Sequence, residues 1–382
     1  MPPELTADQA RHSEAVTRAV RAAIEAAGGW LPFDDYLRLV LYAPGLGYYS
    51  AGSEKFGPRG DFITAPELSD LYARCLAHQS AEVLRSVGGD VLELGAGTGR
   101  LAAGLLTRLA ELGQLPEHYY ILEVSADLRD RQRASLKALP EPLRSRIVWI
   151  DTLPAVPLQG VVVANEVADA LPFKRFLIDG AAVYERGVGL ADGGALIDAD
   201  RAAGAALCAE LARIAPGGWP RHYQSELCPL LAPWIASIAA ALARGVVLLI
   251  DYGLPRREYY HAQRAQGTLR CHFRHRAHDD PLLYPGLQDI TAWVDFTRAA
   301  EAAVEAGLEV KGYCTQAAFL LACGIEAELG AGSGVEHARL ASQARTLLLP
   351  GEMGENFKVM ALGRDYEDPL RGFALQDLRR SL

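Results

Sequence analysis

The run Val91-Leu92-Glu93-Leu94-Gly95-Ala96-Gly97-Thr98-Gly99-Arg100-Leu101 decides the fold. A short apolar strand ends in a glycine-rich turn that opens directly into a helical pattern. Such a turn lets the backbone approach a ligand closely, with helix N–H groups facing it. Further apolar runs follow at Tyr120–Val124, Ile147–Ile150, Val161–Ala164 and Val246–Ile250. Helical stretches separate the first four at βαβ spacing, which predicts a right-handed, doubly wound parallel sheet. Leu308–Tyr313 and Phe357–Leu362 are late strands suited to an antiparallel edge.

Outward from this core the chain divides into five stretches. Residues 1–60 form a helical N-terminal segment and loop: Thr6-Ala7-Asp8-Gln9 fits a capping box and Gly28-Gly29 a helix stop. The loop, from 43 to 60, holds seven glycines and prolines among aromatic residues. Residues 61–175 are the first part of the core. The fifth strand arrives late, so 176–244 reads as a partly helical insertion between strands 4 and 5. Residues 245–365 continue the core, with an Arg- and His-rich loop at 254–288, and 366–382 form a C-terminal tail.

The chain has 382 residues, half of them hydrophobic, ample for a sizeable core. A net charge of −9 argues against sequence-independent binding to nucleic acid or anionic membranes. No run approaches the roughly 20 apolar residues of a membrane span, and the first helix carries acids unlike a transit peptide, so a cytoplasmic protein is expected. The six cysteines show no C-x-x-C pairing and are expected to be reduced and structural.

Two details narrow the ligand. A dinucleotide fingerprint needs Gly or Ala at position 100, where this chain has Arg100. Instead the G-x-G-x-G turn, Gly95, Ala96, Gly97 and Gly99, is preceded by Glu93, the second strand ends in Glu123 and the third in Asp151. A carboxylate at the second strand end can accept both ribose hydroxyls, and one at the third an adenine amino group. Val124 and Thr152, the residues that follow these acids, and Asn165 at the fourth strand end complete the predicted edge. Together they favour S-adenosyl-L-methionine (SAM) and a Rossmann-like class I methyltransferase sheet.

Several segments in order resemble the MidA-like methyltransferases, the family of the mitochondrial complex I assembly-factor arginine methyltransferase. They are Gly60-Asp61-Phe62-Ile63-Thr64-Ala65-Pro66-Glu67, the glycine turn, Asn165-Glu166-Val167-Ala168-Asp169-Ala170-Leu171-Pro172-Phe173, Ile250-Asp251-Tyr252-Gly253, Gly267-Thr268-Leu269-Arg270, and Asp289-Ile290-Thr291 leading to Val294-Asp295-Phe296. The resemblance spans nearly the whole chain. It implies a SAM-binding core covered by family-specific loops, and methylation of an arginine nitrogen on a protein partner, in the family an iron–sulfur-associated subunit of complex I. Valine and alanine stand at 167 and 168, where the motif is expected to carry aromatic residues.

An arginine nucleophile is protonated at physiological pH, so carboxylates must orient the guanidinium. Glu166 and Asp169, after the fourth strand, are the leading candidates, with Glu226 from the insertion a third. A helix N-cap competes as the role of Asp169, and a solvated surface acid as that of Glu226. Asp61 and Thr64 are expected to close over the methionine part of SAM, or to cap a turn and start a helix, and Gly60 and Phe62 beside Asp61 are expected to bind the cofactor. Cys271, His272, His275, His278 and Asp279 form the one metal-like cluster. With six arginines between 256 and 276 the stretch reads better as a solvated loop or a contact for an acidic partner, and no metal is expected. A protein substrate is the expected partner, with a homodimer left open. A non-catalytic SAM-binding assembly factor and a small-molecule methyltransferase are the competing functions.

Overall fold

The computed structural model describes residues 3–50, 64–215, 217–330 and 334–382. The chain forms two compact units, each made of three segments. One comprises Ile63–Ala168, Leu231–Pro255 and Val294–Leu382, the other Met1–Phe62, Asp169–Leu230 and Arg256–Trp293.

The first unit is built on a sheet of strands β1 (Asp90–Leu94), β2 (Tyr119–Leu122), β3 (Ile147–Ile150), β4 (Leu158–Asn165), β5 (Leu242–Leu254), β6 (Glu309–Thr315) and β7 (Phe357–Arg364). Their spatial order is β6-β7-β5-β4-β1-β2-β3. The first five run parallel, and β7 is antiparallel to both neighbours. The strand order therefore reverses beside β1, and β4 begins the other wing. In such sheets the crevice outside the carboxyl ends at this reversal is where ligands bind. Register brings those ends level: Leu94 stands opposite Leu122 on one side and Ala164 on the other.

Local chemistry explains the elements. Helix Asp70–Val87 starts at Ser69, whose Oγ accepts the Leu71 N–H, and stops at Gly88. Helix Arg100–Glu111 buries Leu101, Leu105, Leu106 and Leu109 along one stripe. These leucines pack with Leu76, Val91, Tyr119, Val161, Leu248 and Val359 in one core, each side chain contributing roughly 1.5–3 kcal/mol by leaving water. The late strands are antiparallel, as the sequence predicts, and one of them, β7, is buried over seven of its eight residues, so it is an interior strand and β6 forms the edge.

In the second unit the helix Ala7–Ala26 opens with the expected capping box: Thr6 and Gln9 exchange side-chain and backbone hydrogen bonds. The stretch expected to be partly helical does contain the helix Ala205–Ile214, but its frame is a four-stranded antiparallel sheet. The strands lie in the order Leu196–Ala202, Ala182–Leu190, Lys174–Asp179, Tyr223–Leu227. Opposite charges replace apolar alternation on one face. Arg175 grips Asp198 at 2.7 Å and Arg186 grips Asp200 at 2.8 and 2.9 Å, which hides these strands from a search for hydrophobic period. The Arg- and His-rich stretch likewise folds, as a three-stranded sheet of Arg276–His278, Arg270–Phe273 and Asp289–Thr291.

Candidate cofactor and active site

The glycine turn lies where β1 passes into helix Arg100–Glu111. Gly95, Gly97 and Gly99 have φ of 64°, 54° and 86°, a left-handed series that glycine adopts without strain. The Gly95 N–H donates to Leu122 O at 2.9 Å, and Gln132 Nε2 to Gly97 O at 3.0 Å, so β2 and the helix after it fix the turn. A Cβ built on Gly95 would meet Val167 Cγ2 at 3.2 Å, whereas one on Gly97 meets nothing within 4 Å. Gly97 therefore borders open space at the strand reversal. Ala96, between them, is buried.

Two acids flank the turn and differ in surroundings. Glu93 is 2% exposed and accepts the Tyr119 hydroxyl at 2.8 Å. Burial, with the nearby Glu123 carboxyl adding to it, raises its pKa to about 7 despite that hydrogen bond. Glu123 is also buried and is raised by the same desolvation, while the Ser125 N–H (2.9 Å) and Gln132 Nε2 (3.0 Å) donate to it. Next to it Val124 is 79% exposed, a bare apolar side chain at the end of β2. A carboxylate held still beside an exposed apolar surface suits a nucleoside, whose ribose diol donates and whose base needs a flat neighbour. Asp151, beyond β3, is exposed and pairs with Arg129 at 2.8 Å; Thr152 is exposed beside it.

Asn165 is the last residue of β4. Its Oδ1 accepts the Tyr72 hydroxyl, and its Nδ2 donates to Glu166 Oε1 at 3.1 Å. Glu166 has φ of 55°, an uncommon backbone for a residue with a side chain, and its N–H donates to Ile250 O at 2.9 Å. Asp251, fully buried on β5, accepts the N–H groups of Ala168 and Tyr252, both at 2.9 Å. Sequence reasoning gave neither Tyr72 nor Asp251 a role. Asp251 carried a signal, an acid at a parallel strand end, whereas Tyr72 carried none.

The structure thus brings Gly95, Ala96, Gly97, Gly99, Glu123, Val124, Asn165 and Glu166 to adjacent strand ends of one unit. Thr64, which precedes the four-residue helix Ala65–Leu68, belongs to the same unit. Gly60, Asp61 and Phe62 lie outside the described residues. Asp169 and Glu226 belong to the other unit. Asp169 is 7% exposed and its carbonyl accepts the Ala292 N–H. Glu226 is buried rather than a solvated surface acid. It accepts the Thr268 N–H (2.8 Å) and hydroxyl (3.1 Å), and burial raises its pKa against those bonds. Cys271 and His278 stand opposite one another in their hairpin. Among the described residues, the His, Cys, Asp and Glu side chains close enough to share an ion are instead Asp90, Glu117 and His118.

A sheet of order 3-2-1-4-5-7-6 with its seventh strand antiparallel, and a glycine turn and buried acid at the reversal, define a class I SAM-dependent methyltransferase. The comparisons agree. The profile of a family of S-adenosyl-L-methionine-dependent methyltransferases matches residues 75–314, and the chain belongs to that family. SAM is its cofactor. A Burkholderia thailandensis protein solved with S-adenosyl-homocysteine (SAH) bound is 46% identical, with each chain covered in full and a TM-score of 0.95. Among curated proteins, the chain is 27% identical over 366 residues to "Protein arginine methyltransferase NDUFAF7, mitochondrial" of Mus musculus, covering 86% of this chain and 80% of that one. It is 28% identical over 404 residues to the Drosophila melanogaster homolog of that protein, covering 94% and 87%. Among the described residues no helix is long and apolar enough to cross a membrane.

Proposed function

We propose that this methyltransferase acts on an arginine nitrogen of a partner protein, a respiratory complex I-type subunit or a bacterial counterpart, in the cytoplasm. The observation that carries the reading is Glu166, held in a left-handed backbone at the end of β4 with Asn165 on its carboxylate. The names of the mouse and fly relatives supply the substrate class.

In this reading Gly95 to Gly99 cradle the methionine end of the cofactor, joined by Thr64 from the preceding segment. Glu123 receives the ribose hydroxyls, Val124 packs on the adenine, Asp151 and Thr152 border its amino group, and Glu93, buried on Tyr119, steadies the strand end. When bound, SAM supplies an electrophilic methyl group on a sulfonium. The protein's work is then alignment and exclusion of water. Glu166 orients the guanidinium and stabilises charge on the nitrogens that are not methylated. As the attacking nitrogen takes the methyl group it passes one proton to the Glu166 carboxylate, which returns it to solvent once product has left. Self-association into a homodimer is compatible with this scheme.

The test is incubation of the purified protein with [methyl-3H]SAM and a lysate of cells lacking it, followed by acid hydrolysis of the labelled protein. Label in methylarginine supports the proposal. Label in another amino acid or a small molecule refutes the arginine assignment, and no transfer at all favours the assembly-factor reading.

A further inference from the structure

We infer that Tyr72 is a positioning residue for methyl transfer: its buried hydroxyl sets the orientation of the Asn165 amide, and the amide in turn sets the Glu166 carboxylate. The inference rests on the proposal that Glu166 faces the substrate.

Tyr72 is 1% exposed and sits in the first turn of helix Asp70–Val87, a helix outside the strand ends that carry the turn. Its hydroxyl reaches Asn165, 93 residues further along the chain. The two ends of an asparagine amide are not equivalent, since the oxygen only accepts and the nitrogen only donates. Burial, and then the Glu166 and Asp251 carboxylates, hold the Tyr72 phenol well above the usual tyrosine range, so it remains a donor throughout the physiological range. A phenol hydroxyl can also accept, but a carboxylate only accepts, so both contacts are satisfied at once when Tyr72 donates to the amide oxygen. The amide nitrogen is then delivered to Glu166 Oε1, where it is found at 3.1 Å.

The backbone of Glu166 is set independently, by its bond to Ile250 and by the grip of Asp251 on the following turn. A left-handed residue costs roughly 1–3 kcal/mol and persists where its surroundings over-determine it. Here strand β5 determines the main chain, and Tyr72, through Asn165, determines the side chain. Without the hydroxyl only the Glu166 carboxylate holds the amide, and the two side chains can swing together away from the observed position.

The experiment compares SAH with sinefungin, in which an amine-bearing carbon replaces the methylated sulfonium, by calorimetry on the full chain. The protonated amine probes the carboxylate that faces the transferred methyl. The readout is the ratio of the two affinities, so that a general loss of binding cancels. Glu166→Gln is expected to lower the preference for sinefungin about tenfold, the scale of one hydrogen bond to a charged group. Tyr72→Phe is expected to lower it about threefold or more, and the double variant no further than Glu166→Gln alone. Asn165→Leu, close in size but with neither donor nor acceptor, should reproduce the loss, and an unchanged ratio in it overturns the relay from Tyr72 to Glu166 even should Tyr72→Phe not fold. An unchanged ratio in Glu166→Gln overturns the placement of Glu166 and the inference with it. A fall in Glu166→Gln with none in Tyr72→Phe, or with additive losses, overturns the role of Tyr72 alone.

Discussion

Replacing Gly97 with alanine separates cofactor binding from folding. At Gly97 φ is 54°, and an added Cβ would meet nothing within 4 Å. The cost to the fold is therefore backbone strain alone, about 1–2 kcal/mol. Against a typical total of roughly 5–15 kcal/mol the protein stays folded. The same methyl group projects into the space at the strand reversal, where the account places the methionine end of SAM. Crowding a packed contact by one methyl costs about 1–3 kcal/mol, which corresponds to an SAH affinity weaker by about 5- to 150-fold. Gly113→Ala is the matched control: φ is 66°, the space beside it is equally open, and it lies at the far end of helix Arg100–Glu111. Calorimetric titration with SAH and a thermal melt on each variant give the answer. Similar melting shifts with loss of SAH binding only in Gly97→Ala are expected. Binding retained in Gly97→Ala, or lost equally in both, refutes the reasoning.

Glu123→Gln should weaken SAH binding by about tenfold, because the buried carboxylate proposed to accept both ribose hydroxyls becomes an amide that can accept at one end only; calorimetry reads this directly. Glu328, whose side chain is 4% exposed, binds Arg74, His78 and Arg108, and Glu328→Ala should cost about 2–3 kcal/mol in urea unfolding, held to that range because both arginines keep Glu111 as a second acceptor. Burial alone would raise the Glu328 pKa, but the bonds from His78 and Arg74 outweigh it and lower it, so the gap between wild type and variant is full above the ordinary carboxylate range and closes as pH falls below it. Glu93 behaves oppositely. Its pKa of about 7 means that the folded state holds a proton the unfolded state releases, so stability declines as pH rises from the ordinary carboxylate range through about 7. Glu93→Gln should flatten that decline in denaturant melts between pH 5 and 8, and an equally steep slope in the variant contradicts the assignment.

The parts of the fold that sequence made legible share one property: their signal is local. Val91 to Leu101 carries strand, turn and helix start in eleven consecutive positions, and Thr6 to Gln9 carries a helix cap in four. Parallel strands buried on both faces, such as Val161–Ala164, announce themselves as apolar runs. The antiparallel sheet of the second unit does not, because Arg175, Arg186, Asp198 and Asp200 satisfy one another across strands and break the hydrophobic alternation. The site divides in the same way. Glu123 and Val124 are readable as the residues that end a strand. Tyr72 is not, since its partner Asn165 becomes a neighbour only when helix Asp70–Val87 packs on the sheet. Glu166 and Asp169 stand three residues apart and are both expected from the sequence to face the substrate, yet they belong to different units.

The most direct test of the account is a crystal structure of the protein with SAH. Both ribose hydroxyls are expected on the Glu123 carboxylate, the adenine against Val124, and the homocysteine along Gly95 to Gly99. Density for SAH away from these strand ends, for instance in the 240 Å3 cleft lined by Arg175, Arg186 and Glu226, would contradict it.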